Sequence, residues 1–291
     1  MRIAPDWVDY ELIDASSGER LERWGSYYLV RPDPQVIWNT PKKHPKWRSA
    51  DAVYHRSSSG GGYWEYKSRV PEEWTIHWNE LTFLVSPTSF KHTGVFPEQA
   101  ANWVRYQDLI HRANRPVKVL NLFGYTGIAT LACLEAGASV CHVDASKGMV
   151  GQAKKNLSLS GLEQKPVRWI VDDCKKYVQR EFRRGNRYDG IIMDPPSYGR
   201  GPSGEIWKIE NDLDEFITEC VKILSDKPLF VSVNTYTTGV APSAIGYVLK
   251  SKVGSRATMV LSEEIGLKVS ESGFALPCGN TTMMICEDAV E

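Results

Sequence analysis

The chain has 291 residues, 42% of them hydrophobic and 24% charged, which is the composition of a folded globular protein and excludes a disordered one. No stretch approaches the ~20 apolar residues that a membrane-spanning helix needs, so an integral helical membrane protein is excluded as well. Thirty-five basic residues balance thirty-five acidic ones, so any affinity for a polyanion must come from local patches.

The start, Met-Arg-Ile-Ala-Pro-Asp-Trp, lacks the apolar core of a secretory signal. Six cysteines lie scattered without a CxxC pair or nearby histidines, so neither a disulfide scaffold nor a metal site is indicated. A reduced, cytoplasmic compartment is the expectation, and two domains are the expected organisation for this length.

Residues 1–85 read as a small antiparallel β unit. Short β-like runs at 26–31, 52–56, 63–67, 74–78 and 81–85 are separated by turn material: Pro32-Asp33-Pro34, the tract 57–62, Pro71 and Asn79-Glu80. Eight of the ten tryptophans precede residue 110, which either builds a core for this small unit or supplies rings that stack on bases. Lys42-Lys43-His44-Pro45-Lys46-Trp47-Arg48 interleaves charge with aromatic surface in the same unit, where substrate recognition is expected. Two further basic clusters, Arg183-Arg184-Gly185-Asn186-Arg187 and Lys250, Lys252 with Arg256, read equally well as solvated faces.

The texture then changes to alternating strand and helix. Residues 97–113 read as a helix with Pro97 at its first position. Strands are expected at 117–121, 139–144, 167–171, 188–193 and 229–234, with helices at 127–136, 146–160, 174–183 and 213–224. A helix at 243–253 and strands near 257–269 and 281–287 close the chain. Such alternation demands an α/β, Rossmann-like, doubly wound and mostly parallel sheet over residues 86–291.

The first strand of this part runs into Asn121-Leu122-Phe123-Gly124-Tyr125-Thr126-Gly127 and then a helix. Gly124 and Gly127 permit a sharp turn and a close backbone approach to a ligand. Asp144 ends the next strand, twenty residues after Gly124, a spacing that suits a carboxylate accepting from both ribose hydroxyls of an adenine-containing cofactor. Bulky Tyr125 and Thr126 replace the small residues of a dinucleotide loop, which favours a ligand with an amino-acid end over a pyrophosphate.

Asn-Leu-Phe-Gly-Tyr-Thr-Gly followed by Val143-Asp144-Ala145-Ser146 resembles motifs one and two of the class I S-adenosylmethionine-dependent methyltransferases. The likeness runs from about Trp74 to the C-terminus and is in particular to the branch that modifies bacterial large-subunit ribosomal RNA. The resemblance implies a seven-stranded sheet ending in a hairpin-like strand pair. It also implies that residues Asn121 to Gly127 cradle the methionine portion, that Asp144 with neighbouring Ala145 holds the ribose, and that Asp173 bonds the adenine amino group. Asp172 is the adjacent candidate for adenine, and a plain helix N-cap is the structural alternative for either. Residues 92–99 resemble the family segment that closes over the cofactor and carry Gln99; Pro97-Glu98 and Ala100 depart from the usual Asp-Gln-Arg.

Gly190-Ile191-Ile192-Met193-Asp194-Pro195-Pro196-Ser197-Tyr198-Gly199 is the candidate catalytic segment. An apolar strand ends in a carboxylate, and Pro195 and Pro196 stiffen the exit loop. Asp194 or the Pro195 carbonyl can accept from a base edge, and Tyr198 can stack on a flipped base. Methylation at C5 of a pyrimidine would need a thiolate, and the segment Val231 to Tyr236, where cytosine-C5 members carry it, has none. Cys278 is the remaining candidate thiol, in an expected loop.

The expectation is therefore an S-adenosylmethionine-dependent methyltransferase acting on a base nitrogen of RNA, ribosomal RNA first. A methyltransferase for protein side chains or small amines, a cytosine-C5 RNA enzyme and a non-catalytic binding module stay open.

Overall fold

The computed structural model describes residues 1–57, 61–87, 91–200, 206–236 and 239–286. Two compact units emerge: Met1–Ala101 with Ile265–Cys278, and Asn102–Glu264 with Gly279–Glu291. The division thus falls at Ala101, not near residue 85, and the first unit takes in a stretch close to the C-terminus. Among the described residues no helix is long and apolar enough to cross a membrane.

In the first unit, β1 (Arg2–Ile3) is followed by β2 (Tyr10–Ser16), β3 (Glu19–Trp24), β4 (Tyr27–Pro32), β5 (Ala52–Arg56) and β6 (Gly62–Tyr66). Strands β2 to β6 form one sheet in chain order, antiparallel except for the parallel pair β4 and β5. Ser17 and Gly18, with φ of 55° and 76°, supply the two left-handed positions that a tight hairpin needs between β2 and β3. β7 (Trp74–Trp78) and β8 (Leu81–Val85) pair as a separate hairpin through Asn79, whose φ is 48°. The tract 57–62 does link two antiparallel strands, and its tip at 58–60 lies outside the described residues. Trp24 and Trp78 are buried, and Trp7 packs its ring near Tyr10, Trp78 and Phe83. For these three tryptophans the core-building reading holds.

Strands β2 and β3 were not anticipated because a register shift between Leu12 and Asp14 breaks the alternation of β2, and β3 buries a charged residue. Glu22 is fully buried and takes two hydrogen bonds from Arg31, at 2.6 and 2.7 Å, and one from Tyr10 at 2.8 Å. Burial alone would raise its carboxyl, but Arg20 and Arg31 pull it down to about 2. An internal ion cluster of this kind erases the alternation of apolar and polar residues by which a strand is read.

A 3-10 turn at Pro97–Gln99, still in the first unit, leads into α1 (Ala100–Arg112), which carries the chain into the second unit, so the helix begins three residues later than Pro97. Then come β9 (Lys118–Leu122), α2 (Ile128–Glu135), β10 (Ser139–Asp144), α3 (Lys147–Leu159), β11 (Val167–Val171), α4 (Cys174–Arg183) and β12 (Gly190–Met193). A small hairpin of β13 (Tyr198–Arg200) and β14 (Ile206–Lys208) precedes α5 (Ile209–Val221), β15 (Phe230–Thr235), α6 (Pro242–Val253), β16 (Ala257–Lys268) and β17 (Ala275–Cys286). The sheet runs β16-β17-β15-β12-β9-β10-β11, seven strands, and the pairing of β1 with Ile265 and Gly266 adds an eighth. β9, β10, β11, β12 and β15 are parallel, and β17 returns antiparallel to β15. β9, β12 and β15 are almost wholly buried, as strands covered on both faces must be, which is why they read as continuous apolar runs.

Candidate active site

The order β12-β9-β10-β11 contains a reversal. From β9 the chain winds outward through β10 and β11, then returns through α4 to place β12 on the other side of β9. A crevice opens at such a switch point, beyond the carboxyl ends of the strands, and ligands bind there. The candidate residues of this unit line up along that edge. Asp194 directly follows β12, residues 121–127 leave β9, Asp144 ends β10, and Asp172 and Asp173 directly follow β11.

The loop after β9 is held in a costly conformation. Phe123 and Tyr125 have φ of 55° and 50°, left-handed values that cost a residue with a side chain ~1–2 kcal/mol each. Such strain persists only where the surroundings impose it. The Phe123 ring sits 5.7 Å from Trp207 and 5.6 Å from Phe216, and its amide donates to Cys174 Sγ at 3.3 Å. The Tyr125 amide donates to Asp144 Oδ2 at 2.8 Å, while Asp144 Oδ1 accepts from the Ser146 amide at 2.8 Å. Each oxygen of Asp144 therefore keeps a lone pair for a ligand, and a half-buried carboxylate at a strand end matches a pair of ribose hydroxyls. Ala145 is exposed beside it.

The two loop glycines serve packing. A Cβ on Gly124 would lie 2.4 Å from the His142 ring, and one on Gly127, at φ 82°, 2.6 Å from Ala153 Cβ. The absence of a Cβ at these two positions lets the loop press onto β10 and α3. Gly127→Ala, which meets both the clash and the left-handed backbone, should destabilise by more than about 1 kcal/mol. Thermal unfolding checks this, and an unchanged midpoint would contradict it.

Beneath the loop, Asn121 Nδ2 donates to Thr130 Oγ1 at 2.9 Å, which shares a 3.0 Å hydrogen bond with His142 Nδ1. Burial pushes His142 down to about 3, so the ring is neutral, and its Nε2 has no partner among the described residues. Thr126 is buried, and its carbonyl accepts from Asn156 Nδ2 at 2.9 Å. His142 and Thr130 support the loop without any sequence motif of their own.

Asp172 and Asp173 are both engaged locally. Asp173 Oδ1 caps α4 by accepting from the Lys176 amide at 2.9 Å, and Asp172 forms an ion pair with Arg180. The N-cap alternative is realised at Asp173, whose second oxygen carries no such duty. Gln99 is buried in the 3-10 turn of the first unit.

The candidate catalytic segment is clamped at two points. Ser197 Oγ donates to the Tyr236 carbonyl at 3.0 Å, and Trp207 Nε1 donates to the Pro196 carbonyl at 2.7 Å. Pro195 is buried, Asp194 is half-buried, and Tyr198 opens β13 with 51% of its surface exposed. Trp207 was missed, although turn-rich residues between Tyr198 and Trp207 are a hairpin signal. On β15, Asn234 is buried and accepts from Asn102 at 3.1 Å and Thr281 at 2.9 Å.

Cys278 lies within β17, not in a loop, and its Sγ donates to the Leu276 carbonyl at 3.4 Å. Burial pushes its thiol well above the ordinary value. The other five cysteines are buried, and all six are free thiols. Among the described residues no group of His, Cys, Asp or Glu is placed to hold a metal ion.

A Rossmann-like sheet with its candidate ligands at the switch point defines the broad class, and comparison with known proteins defines the family. The chain matches the S-adenosylmethionine-dependent methyltransferase family over residues 48–224 and belongs to it. It resembles the crystal structure of a SAM-dependent methyltransferase from Agrobacterium tumefaciens with a TM-score of 0.93 and 37% identity, covering 98% of this chain and 93% of that one. It is 29% identical over 174 residues to ribosomal RNA large subunit methyltransferase K of Neisseria meningitidis serogroup B, covering 59% of this chain and 48% of that protein. It is also 29% identical over 237 residues to methyltransferase K/L of Pseudoalteromonas atlantica, covering 74% of this chain and 32% of that protein. The chain therefore spans about half or less of the length of these two relatives.

Proposed function

We propose that the chain transfers a methyl group from S-adenosylmethionine to a base nitrogen of RNA, with ribosomal RNA as the substrate. The observation that carries this reading is the clamped segment Asp194-Pro195-Pro196-Ser197-Tyr198 at the switch point, an acid and an exposed ring on a stiffened loop. The names of the two ribosomal RNA methyltransferase relatives support the substrate class. Six free thiols fit a cytoplasmic site of action.

The cofactor supplies an electrophilic methyl group on a sulfonium. Asp144 holds the ribose through its two outward lone pairs, the loop Asn121 to Gly127 shapes the seat of the methionine portion, and the free oxygen of Asp173 meets the adenine amine. Tyr198 stacks on the target base, and Asp194 accepts a hydrogen bond from the amine, turning the nitrogen lone pair toward the methyl group and receiving its proton. Positioning of this kind lowers a displacement barrier by ~7–11 kcal/mol at best. The small N-terminal unit serves substrate recognition.

A nitrogen target is favoured over C5 because Cys278 is a half-buried thiol, held in its neutral form and engaged with a backbone carbonyl. Cys278→Ser should keep full activity and form no adduct with RNA carrying a 5-fluorinated pyrimidine. An adduct that disappears in Cys278→Ser would put C5 first. Transfer of tritiated methyl to RNA from a strain lacking the gene, followed by nucleoside mass spectrometry, tests the reading as a whole. Labelling of a protein or small amine in place of RNA would overturn it.

A further inference from the structure

The first unit carries a second surface whose chemistry fits a single-stranded polyanion. Strand registers put Leu21, Val30, Val53, His55, Tyr63 and Glu65 on one face of the five-stranded sheet. Part of that face is roofed: Leu21, Val30 and Val53 join Ile13 and Ala50 in a small core, against which Tyr28 and Trp47 pack. The roof is the basic segment 42–48, whose 3-10 turn Pro45–Trp47 is pinned by Trp47 Nε1 donating to Asp14 Oδ2 at 2.8 Å. Lys42 Nζ lies 4.2 Å from the centre of the Trp47 ring, and Lys46 Nζ 4.2 Å from that of Tyr28. Cation–π contacts of this kind hold a lysine against a ring at little cost in hydration.

Beyond the roof the face is open. The His55 and Tyr63 rings lie 5.2 Å apart at 32°, and Tyr63 is 63% exposed. The nearby carboxylates are matched locally, Glu19 with Lys42 and Glu65 with His55 at 2.7 Å. Lys43 and Arg48 are exposed and form no ion pair among the described residues, and no acidic residue occurs between Thr40 and Ala50. An aromatic shelf flanked by surplus cations is what an unpaired nucleic-acid strand requires: ring faces for bases and charge for phosphates. A duplex presents phosphates but hides its base faces.

We propose that this face binds a single-stranded segment of the substrate RNA, with Tyr63 and His55 stacking on unpaired bases and Lys43, Lys46 and Arg48 meeting phosphates. The assignment rests on RNA being the substrate. The test uses the full chain and a fluorescein-labelled, pyrimidine-rich RNA, single-stranded or annealed to its complement, with anisotropy followed across salt concentration. The single strand should bind more tightly than the duplex. Tyr63→Ala should weaken single-strand binding at least about fivefold, the loss of one stacked base. Lys43→Glu with Arg48→Glu should reduce the salt slope by about 1.4, two single-strand phosphate contacts. Both variants should bind S-adenosylmethionine as the parent does, since neither replaces a residue assigned to the cofactor. If the parent binds RNA and both variants equal it, this face is the wrong one while the RNA reading stands. A parent that binds the cofactor but neither form of RNA overturns both, and displacement of the strand by poly-glutamate as readily as by unlabelled RNA overturns the stacking assignment.

Discussion

Replacing Asp144 by alanine is expected to weaken S-adenosylmethionine binding by roughly ten- to a hundredfold. Hydrogen bonds to an ionised group contribute ~1.5–3 kcal/mol, and every 1.4 kcal/mol is about tenfold in affinity. The geometry adds a second source of loss, because Asp144 Oδ2 also accepts from the amide of Tyr125, a residue at φ 50°. Without that partner the left-handed turn loses one of its restraints, and the loop must be ordered again on binding. Calorimetry on Asp144→Ala and Asp144→Asn, with far-UV circular dichroism as a check on folding, reads the effect. Asparagine keeps one carbonyl oxygen to accept from a backbone amide, so it should fall between alanine and the parent. A folded Asp144→Ala protein with parental affinity would remove Asp144 from the cofactor site.

The parts of this molecule that were legible in its sequence share a physical cause. Strands buried on both faces must be written in apolar residues, and an acid closing such a run stands out, as Asp144 and Asp194 do. The elements that stayed hidden break that logic in identifiable ways. Arg20 and Glu22 sit inside the first unit, so β3 conceals its buried face behind charge. Ile265–Cys278 joins that unit through contacts distant in sequence, which no local pattern announces. The supports of the site were equally silent. Nothing local marks His142 as the floor under Gly124, or Trp207 as the donor that clamps Pro196, because each acts through a neighbour remote along the chain. The strain at Phe123 and Tyr125 runs against the residue types themselves, since aromatic side chains disfavour the left-handed region. Cys278 misled in the opposite sense: Pro277 and Gly279 around it read as a loop, yet all three lie in a long strand.

Asp194→Ala is expected to lower kcat by roughly a hundredfold or more at saturating cofactor, the usual consequence of losing a group that orients or deprotonates the nucleophile. The carboxylate directly follows β12, and the backbone beyond it is held by the Ser197 and Trp207 hydrogen bonds, neither of which uses the Asp194 side chain. Cofactor affinity should accordingly stay within about twofold, because an interaction made only with the nucleophile appears in turnover and not in methyl-donor binding. Tyr198 separates ring from hydroxyl. It is half exposed and opens β13 opposite Lys208 on β14. Tyr198→Ala should lower kcat/KM for RNA by about tenfold, the loss of one stacking partner. Tyr198→Phe should restore most of it, since the flat face is what a base requires. Single-turnover methyl transfer with calorimetry on the same protein samples distinguishes the outcomes. If Asp194→Ala loses cofactor affinity in proportion to its rate, the carboxylate is a ligand of the methyl donor, and the acceptor nitrogen must be oriented by another group on the loop, the Pro195 carbonyl first.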